Sequence, residues 1–332
     1  MSKRIAINGF GRIGRLAFRN LLKNENLEVV AINDLTDPNI LAHLLKYDSA
    51  QGAFDGTVEV NDKGFLINGK QINVSSIRNP EELPWKELGV DIVLECTGIF
   101  RTNEAASKHI TAGAQKVIIS APAKGDDVQT IVLGINDDTL DLSNNVFSNA
   151  SCTTNCFSPL AKIVDDNWGI VTGSMTTIHS YTSDQNIQDA PHSDLRRARA
   201  AAENIIPTST GAAEATSKVV PSVDGKISAI AFRVPVVTGS IVEFNCLVEK
   251  ETTEEAVNEV FKNKAEGPLK NILQYQTDPI VSSDIIGNPH SSIFDSLMTS
   301  VNGKMIKNKR ISTKPLRIQN TFGSHSCSKN VF

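Results

Sequence analysis

The sequence predicts a chain in two parts: an α/β unit whose parallel sheet is covered by helices on both faces, then an α+β unit with a mainly antiparallel sheet. Three observations predict it. Short apolar strands alternate with helical periods up to about Ser120. Long alternating runs replace them after Ala150. A length of 332 residues exceeds what one ordinary core holds.

In the first part, Ile5 to Asn8 is a short apolar strand that ends in glycine-rich sequence. Arg12 to Lys23 follows with helical spacing, its apolar positions Ile13, Leu16, Ala17, Leu21 and Leu22. Val29 to Asn33 is a second strand. A helix opens after it, with Thr36 or Asp37 as N-cap and Pro38 in the first turn. Thr57 to Ser75 alternates, with Asn68-Gly69 as a hairpin signal. Asp91 to Cys96 and Lys116 to Ser120 read as buried strands around a helix from Asn103 to Ala112. Such strand-helix-strand repeats imply a parallel sheet.

In the second part, Gly169 to Tyr181, Lys226 to Pro235 and Ser240 to Glu249 read as antiparallel strands. Helices near Thr153 to Asp166, Gly211 to Val219 and Thr253 to Lys264 separate them.

Composition excludes several classes. Hydrophobic residues make up 40% and charged residues 21%, a globular rather than a disordered balance. A net charge of −4 gives no bulk attraction to nucleic acid or membrane surfaces, so neither is expected as a partner. The cysteines, at 96, 152, 156, 246 and 327, are odd in number and scattered, as in a reducing compartment. No apolar stretch follows Met1-Ser2-Lys3-Arg4 that would suit a signal peptide or a span, so a cytoplasmic location is expected. No Cys or His spacing offers a four-ligand metal site.

Gly9-Phe10-Gly11-Arg12-Ile13-Gly14 fits G-x-G-x-x-G directly after a strand and at the opening of a helix. Such a loop lets backbone amides approach a pyrophosphate at the positive end of a helix. Asp34 stands 20 residues beyond Gly14, at the end of the second strand. A carboxylate there accepts hydrogen bonds from the adenosine ribose and repels the 2′-phosphate of NADP. The first part is therefore expected to be a Rossmann-type nucleotide-binding domain that takes NAD.

Cys152 lies in Ala150-Ser151-Cys152-Thr153-Thr154-Asn155-Cys156, where the first part ends and a helix begins. A helix start favours the thiolate, the reactive form of the thiol. The competing reading of an isolated buried cysteine is plain packing. His179, in Met175-Thr176-Thr177-Ile178-His179-Ser180-Tyr181, has a structural reading as well. Its context favours chemistry. Thr182, the run Asp194-Leu195-Arg196-Arg197-Ala198-Arg199 and Thr208-Ser209-Thr210-Gly211 supply donors suited to phosphate groups. Arg233, inside an apolar strand, must find an anion or a wet cleft.

These motifs resemble those of the glyceraldehyde-3-phosphate dehydrogenase family. The likeness runs from Lys3 to about Lys307, through Asn8 to Arg15, Ser151 to Cys156, the His179 strand, Asp194 to Arg199, Asn204-Ile205-Ile206-Pro207, Gly211-Ala212-Ala213 and Arg233-Val234-Pro235. It implies an NAD-dependent phosphorylating aldehyde dehydrogenase of glycolysis, with residues 1–150 as the NAD-binding domain and 151–307 as the α+β catalytic domain. By this resemblance Cys152 adds to the aldehyde of glyceraldehyde 3-phosphate and His179 takes the proton. Hydride loss gives a thioester, which inorganic phosphate cleaves to an acyl phosphate. Thr182 and Arg233 become ligands of the substrate phosphate. Ser151, Thr153, Arg197, Thr210 and Gly211 become the second phosphate site. Gly9, Gly11, Arg12, Ile13, Asp34, Arg78 and Ser120 become cofactor contacts. The family is a homotetramer whose S-shaped loop corresponds to about Ser180 to Ala202. Close relatives act on erythrose 4-phosphate, which makes that aldehyde the alternative substrate.

The chain departs from the family in two places. Ala190-Pro191 stands where NAD-preferring members carry Leu-Pro, and the smaller alanine implies room for some NADP. After Lys307 the family continues with a Trp-Tyr-Asp-Asn-Glu-like motif and a C-terminal helix, whereas this chain reads Asn308-Lys309-Arg310-Ile311-Ser312-Thr313-Lys314-Pro315 onward. From Ser296 to Phe332 there are seven Lys or Arg residues and no Asp or Glu. Residues 308–332 are thus expected to be an atypical basic tail, from a frameshift or a replaced gene end. Its expected consequences are lower stability and weaker cofactor binding, or a catalytically impaired binding protein.

Overall fold

A computed structural model describes residues 2–312. The described chain divides into two compact units, one of 2–131 with 137–150, the other of 132–136 with 151–312.

The first unit opens with β1 (Lys3–Asn8), α1 (Arg12–Leu21), β2 (Leu27–Asn33) and α2 (Pro38–Lys46). It continues with β3 (Val58–Asn61), β4 (Gly64–Ile67), β5 (Lys70–Ser75), β6 (Ile92–Glu95), α3 (Asn103–Thr111), β7 (Lys116–Ile119), β8 (Gln129–Thr130) and β9 (Val146–Ser148). The sheet order is β8-β9-β7-β6-β1-β2-β5-β4-β3. Strands β8 to β5 along this order pair in parallel, and β4 and β3 add an antiparallel edge. Successive residues of β1 serve two cores: Ile5 and Ile7 join Phe10, Phe18 and Leu94 on one face, while Ala6 joins Val93, Val117 and Trp85 on the other. Burial on both faces is why these strands read as continuous apolar runs. Asn68 (φ 50°) and Gly69 (φ 79°) make the left-handed turn that joins β4 to β5. Asp37 caps α2 by accepting from the Asn39 amide at 2.8 Å, with Pro38 at its first position.

The second unit holds α4 (Cys152–Trp168), β10 (Ile170–Ser180), β11 (Ile206–Thr208), α5 (Ala212–Ser217), β12 (Ile227–Val234), β13 (Ser240–Val248) and α6 (Glu254–Glu266). It ends with β14 (Leu273–Gln276), β15 (Ser292–Asp295), β16 (Ser300–Asn302) and β17 (Met305–Ser312). The sheet order is β11-β12-β10-β13-β17-β15-β14, with β16 paired to β17.

Most of these pairings are antiparallel, but one expectation is corrected. β10 and β12 pair in parallel, in register from Gly173↔Ile227 to Ser180↔Val234. The connection between them carries β11 and α5, so the chain returns to the starting edge before β12 begins. Strand β17 also runs past the boundary expected at Lys307, because β13 pairs with it as far as Ser240↔Ser312. The remainder of the expected tail, 313–332, lies outside the described residues.

Candidate active site

In the first unit, the parallel strands end at a cavity of about 380 Å³ lined by Asn8, Gly9, Gly11, Asn33, Asp34, Leu35, Ile77, Arg78, Cys96, Thr97, Ile99 and Phe100. It lies at β1, where the chain winds outward to β2 on one side and to β6 on the other, the place where α/β sheets bind ligands.

Two glycines are imposed by the fold itself. Gly9 has φ 91° and a Cβ there would meet the Thr97 amide at 2.7 Å, while one on Gly14 would collide with the Gly9 carbonyl. Gly11 differs. A Cβ on it would meet nothing within 4 Å, and no side chain caps α1, so the open amide end is shaped for close approach from outside the protein. Asp34 is fixed by the Phe10 amide on Oδ2 at 2.6 Å and the Thr36 amide on Oδ1 at 2.9 Å, which aims its carboxylate at the cavity it lines. Leu35 (51% exposed) and Ile99 (75% exposed) offer apolar walls for a flat ring. These residues fit a dinucleotide.

Of the expected cofactor contacts, Gly9, Gly11, Asp34 and Arg78 line the cavity, and Arg12, Ile13 and Ser120 do not. Arg12 pairs with Asp48 at 3.6 Å, and its buried Nη2 has no partner among the described residues. Ile13 sits in the first turn of α1. Ser120 is buried at the end of β7, where its amide donates to the Glu95 carbonyl at 3.0 Å and its side chain meets the Cys96 thiol.

In the second unit, Cys152 is the first residue of α4. Ser151 is its N-cap, its Oγ accepting from the Thr154 amide at 3.0 Å. The preceding Ala150 holds φ 55°, a left-handed conformation that costs a residue with a Cβ on the order of 1–2 kcal/mol and turns the chain sharply into the helix. Cys152 Sγ lies 3.6 Å from His179 Nε2. The His179 ring is buried, and its Nδ1 lies 2.6 Å from the Ser180 carbonyl. A base requires the tautomer whose proton sits on Nδ1, facing that carbonyl, with the Nε2 lone pair toward the sulfur. Cys156, one turn along, is buried with its sulfur 3.6 Å from Ser292 Oγ.

The parallel register sets Arg233 directly beside His179. Arg233 Nη1 donates to Thr182 Oγ1 at 2.9 Å and the Ser180 carbonyl at 3.2 Å, and sits 2.9 Å from His179 Nδ1. Its Nε is buried without a partner among the described residues, an unmet donor suited to an anion. Burial pushes this guanidinium below its ordinary value, and the neighbouring charge of Arg197 pushes the same way.

Arg197 donates to Asp184 Oδ2 at 2.9 Å and to Thr208 Oγ1 at 3.0 Å. Asp184, which sequence reasoning did not single out, also accepts from the Thr182 hydroxyl. Burial works to raise its carboxyl, but the Thr182 hydrogen bond and the charges of Arg233 and Arg197 outweigh it and hold it below the usual range. Only its closeness to Thr182 in sequence could have suggested it. Thr153 is buried in the first turn of α4. Thr210 accepts from the Ala212 amide at 3.2 Å, and Gly211 opens α5 without a side-chain cap.

A fold that cradles a dinucleotide, in a chain that also sets an imidazole against a helix-start thiol, defines an NAD-dependent oxidoreductase. Family models give the class its particular form. The NAD binding domain of glyceraldehyde 3-phosphate dehydrogenase matches residues 3–103, and the C-terminal domain matches 151–311. The chain belongs to the glyceraldehyde 3-phosphate dehydrogenase family. It is 58% identical over 307 residues to the glyceraldehyde-3-phosphate dehydrogenase of Thermotoga maritima, covering 92% of each chain. It is 56% identical over 309 residues to those of Geobacillus stearothermophilus and Priestia megaterium, again covering 92% of each.

Proposed function

We propose that this chain oxidises and phosphorylates D-glyceraldehyde 3-phosphate to 1,3-bisphosphoglycerate in glycolysis, with Cys152 as nucleophile and His179 as base. The observation that carries the reading is the 3.6 Å approach of Cys152 Sγ to His179 Nε2. Residues 1–150 serve as the NAD-binding domain and those from 151 through the end of β17 as the catalytic domain.

His179 Nε2 accepts the thiol proton, and Cys152 Sγ adds to the aldehyde carbon to give a thiohemiacetal. The Cys152 amide helps hold the developing oxyanion, which takes the proton back from His179 and becomes a hydroxyl. His179 then accepts that hydroxyl proton as the carbon loses hydride and becomes a thioester on Cys152. Bound NAD supplies the hydride acceptor. Inorganic phosphate attacks the thioester carbon, the acyl phosphate leaves, and the Cys152 thiolate is restored. Arg233 and Thr182 hold the substrate phosphate. Ser151, Thr153, Arg197, Thr210 and Gly211 hold the attacking one, and Asp184 keeps the Arg197 and Thr182 side chains in place. On the cofactor side Gly9, Gly11, Asp34 and Arg78 line the NAD cavity, with Arg12, Ile13 and Ser120 supporting it.

The protein works in the cytoplasm as a homotetramer. Ile187 (79% exposed), Leu195 (81%) and Ile205 (70%) lie in or just after the segment corresponding to the family's S-shaped loop. Exposed apolar side chains in one segment suit burial against a second copy of the chain. Among the described residues no helix is long and apolar enough to cross a membrane.

The test is phosphate-dependent NADH formation from glyceraldehyde 3-phosphate by the full chain. Replacing the base in His179→Asn lowers kcat by about 100-fold or more. Phosphate-independent turnover, or full activity in that variant, overturns the reading.

A further inference from the structure

Four adjacent parallel strands of the first unit end in polar residues: Ser75 on β5, Asn33 on β2, Asn8 on β1 and Glu95 on β6. One hydrogen-bond chain joins them. Ser75 Oγ donates to Asn33 Oδ1 at 3.0 Å, Asn33 Nδ2 to Asn8 Oδ1 at 2.8 Å, and Asn8 Nδ2 to Glu95 Oε2 at 2.6 Å. Asn8, Asn33 and Glu95 are almost wholly buried, with exposures of 2%, 5% and 1%.

The chain continues behind the sheet. His109 Nε2 lies 3.0 Å from Glu95 Oε2, and Trp85 Nε1 donates to His109 Nδ1 at 3.0 Å. Indole nitrogen only donates, so His109 Nδ1 is the acceptor and Nε2 carries the proton. The other carboxylate oxygen of Glu95 accepts from the Thr97 amide at 2.8 Å and from the Thr97 hydroxyl. Every acceptor direction of the carboxylate is taken. A buried anion is a costly way to fill space, and apolar side chains of similar volume serve stability as well or better. What the anion secures is orientation. Asn8, Asn33 and Thr97 line the dinucleotide cavity, as does Phe100, whose ring meets the His109 ring edge-on at 6.3 Å.

The geometry points to Glu95 and His109 as positioning residues for the dinucleotide: buried behind the cavity, they fix the asparagines and the Thr97–Phe100 loop that line it. The inference rests on that cavity being the NAD site. In Glu95→Gln the amide group points a donor at donors on one side, and the strand ends lose their common acceptor. His109→Leu removes both bonds of the imidazole. His109→Gln can keep both, its oxygen accepting from Trp85 and its nitrogen donating to Glu95.

Isothermal calorimetry of NAD binding to the full chain and these variants is the test, with far-UV circular dichroism to confirm folding. The expected result is an NAD Kd raised about tenfold or more in Glu95→Gln and His109→Leu, and within about threefold of the parent in His109→Gln. In steady state the KM for NAD rises more than kcat falls. The proposal is overturned if folded Glu95→Gln and His109→Leu bind NAD as the parent does, or if His109→Gln is as weak as His109→Leu. Should Glu95→Gln fail to fold, the two His109 variants decide alone. A parent chain that binds no NAD would instead overturn the assignment of the cavity, and this inference with it.

Discussion

Asn308 is fully buried in β17 opposite Phe244 of β13, and neither atom of its side-chain amide has a partner among the described residues. An amide left this way costs about 1–3 kcal/mol by protein mutational measures. Leucine has nearly the same shape without the polar atoms. Asn308→Leu is therefore expected to raise Tm by several degrees, read by calorimetry, and an unchanged or lower Tm contradicts this reading. Asp184 gives a pH prediction. Its carboxyl is held below the usual value in the folded chain, so its stabilisation is present above the unfolded pKa and is lost as pH falls through the folded one. The deficit of Asp184→Asn in urea midpoint is expected at about pH 7 and should shrink toward about pH 3, below the ordinary carboxylate value of roughly 3.9. A deficit that does not change with pH would place the effect elsewhere.

At the scale of elements, α4 matters because its cap places the nucleophile. Ser151 caps α4 through the Thr154 amide, and Thr253 caps α6 through the Ala256 amide at 3.2 Å. Losing either cap costs about 1 kcal/mol. Ser151→Ala and Thr253→Ala should thus lose similar stability in urea unfolding, yet only Ser151→Ala should lower kcat. Equal kcat values would remove the link between cap and chemistry. The same scale shows what the sequence made legible. The glycine spacing, Asp37-Pro38 and Asn68-Gly69 announce local geometry that their own backbones dictate, and they appear where expected. Cys152 and His179 were legible through their motifs. The β10–β12 pairing was not, because alternation sets which face is buried and says nothing of strand direction. Glu95, His109 and Trp85 stayed hidden for a related reason. Each is an ordinary polar or aromatic residue in its own segment, and only sheet topology and packing bring them together.

For the whole molecule, the proposed homotetramer would cover the exposed Ile187, Leu195 and Ile205. Sedimentation should give the mass of four chains, and Leu195→Asp should shift the population to smaller species; a parent chain that sediments as a monomer would contradict this. The proposed chemistry itself passes through a covalent acyl group on Cys152. Mixing the full chain with glyceraldehyde 3-phosphate and NAD in the absence of inorganic phosphate, then quenching for peptide mass spectrometry, reads it directly. The expected result is an acyl adduct on the peptide carrying Cys152 that disappears when phosphate is added before the quench. NADH formation with no adduct on that peptide, or with the acyl group on another cysteine, would contradict it.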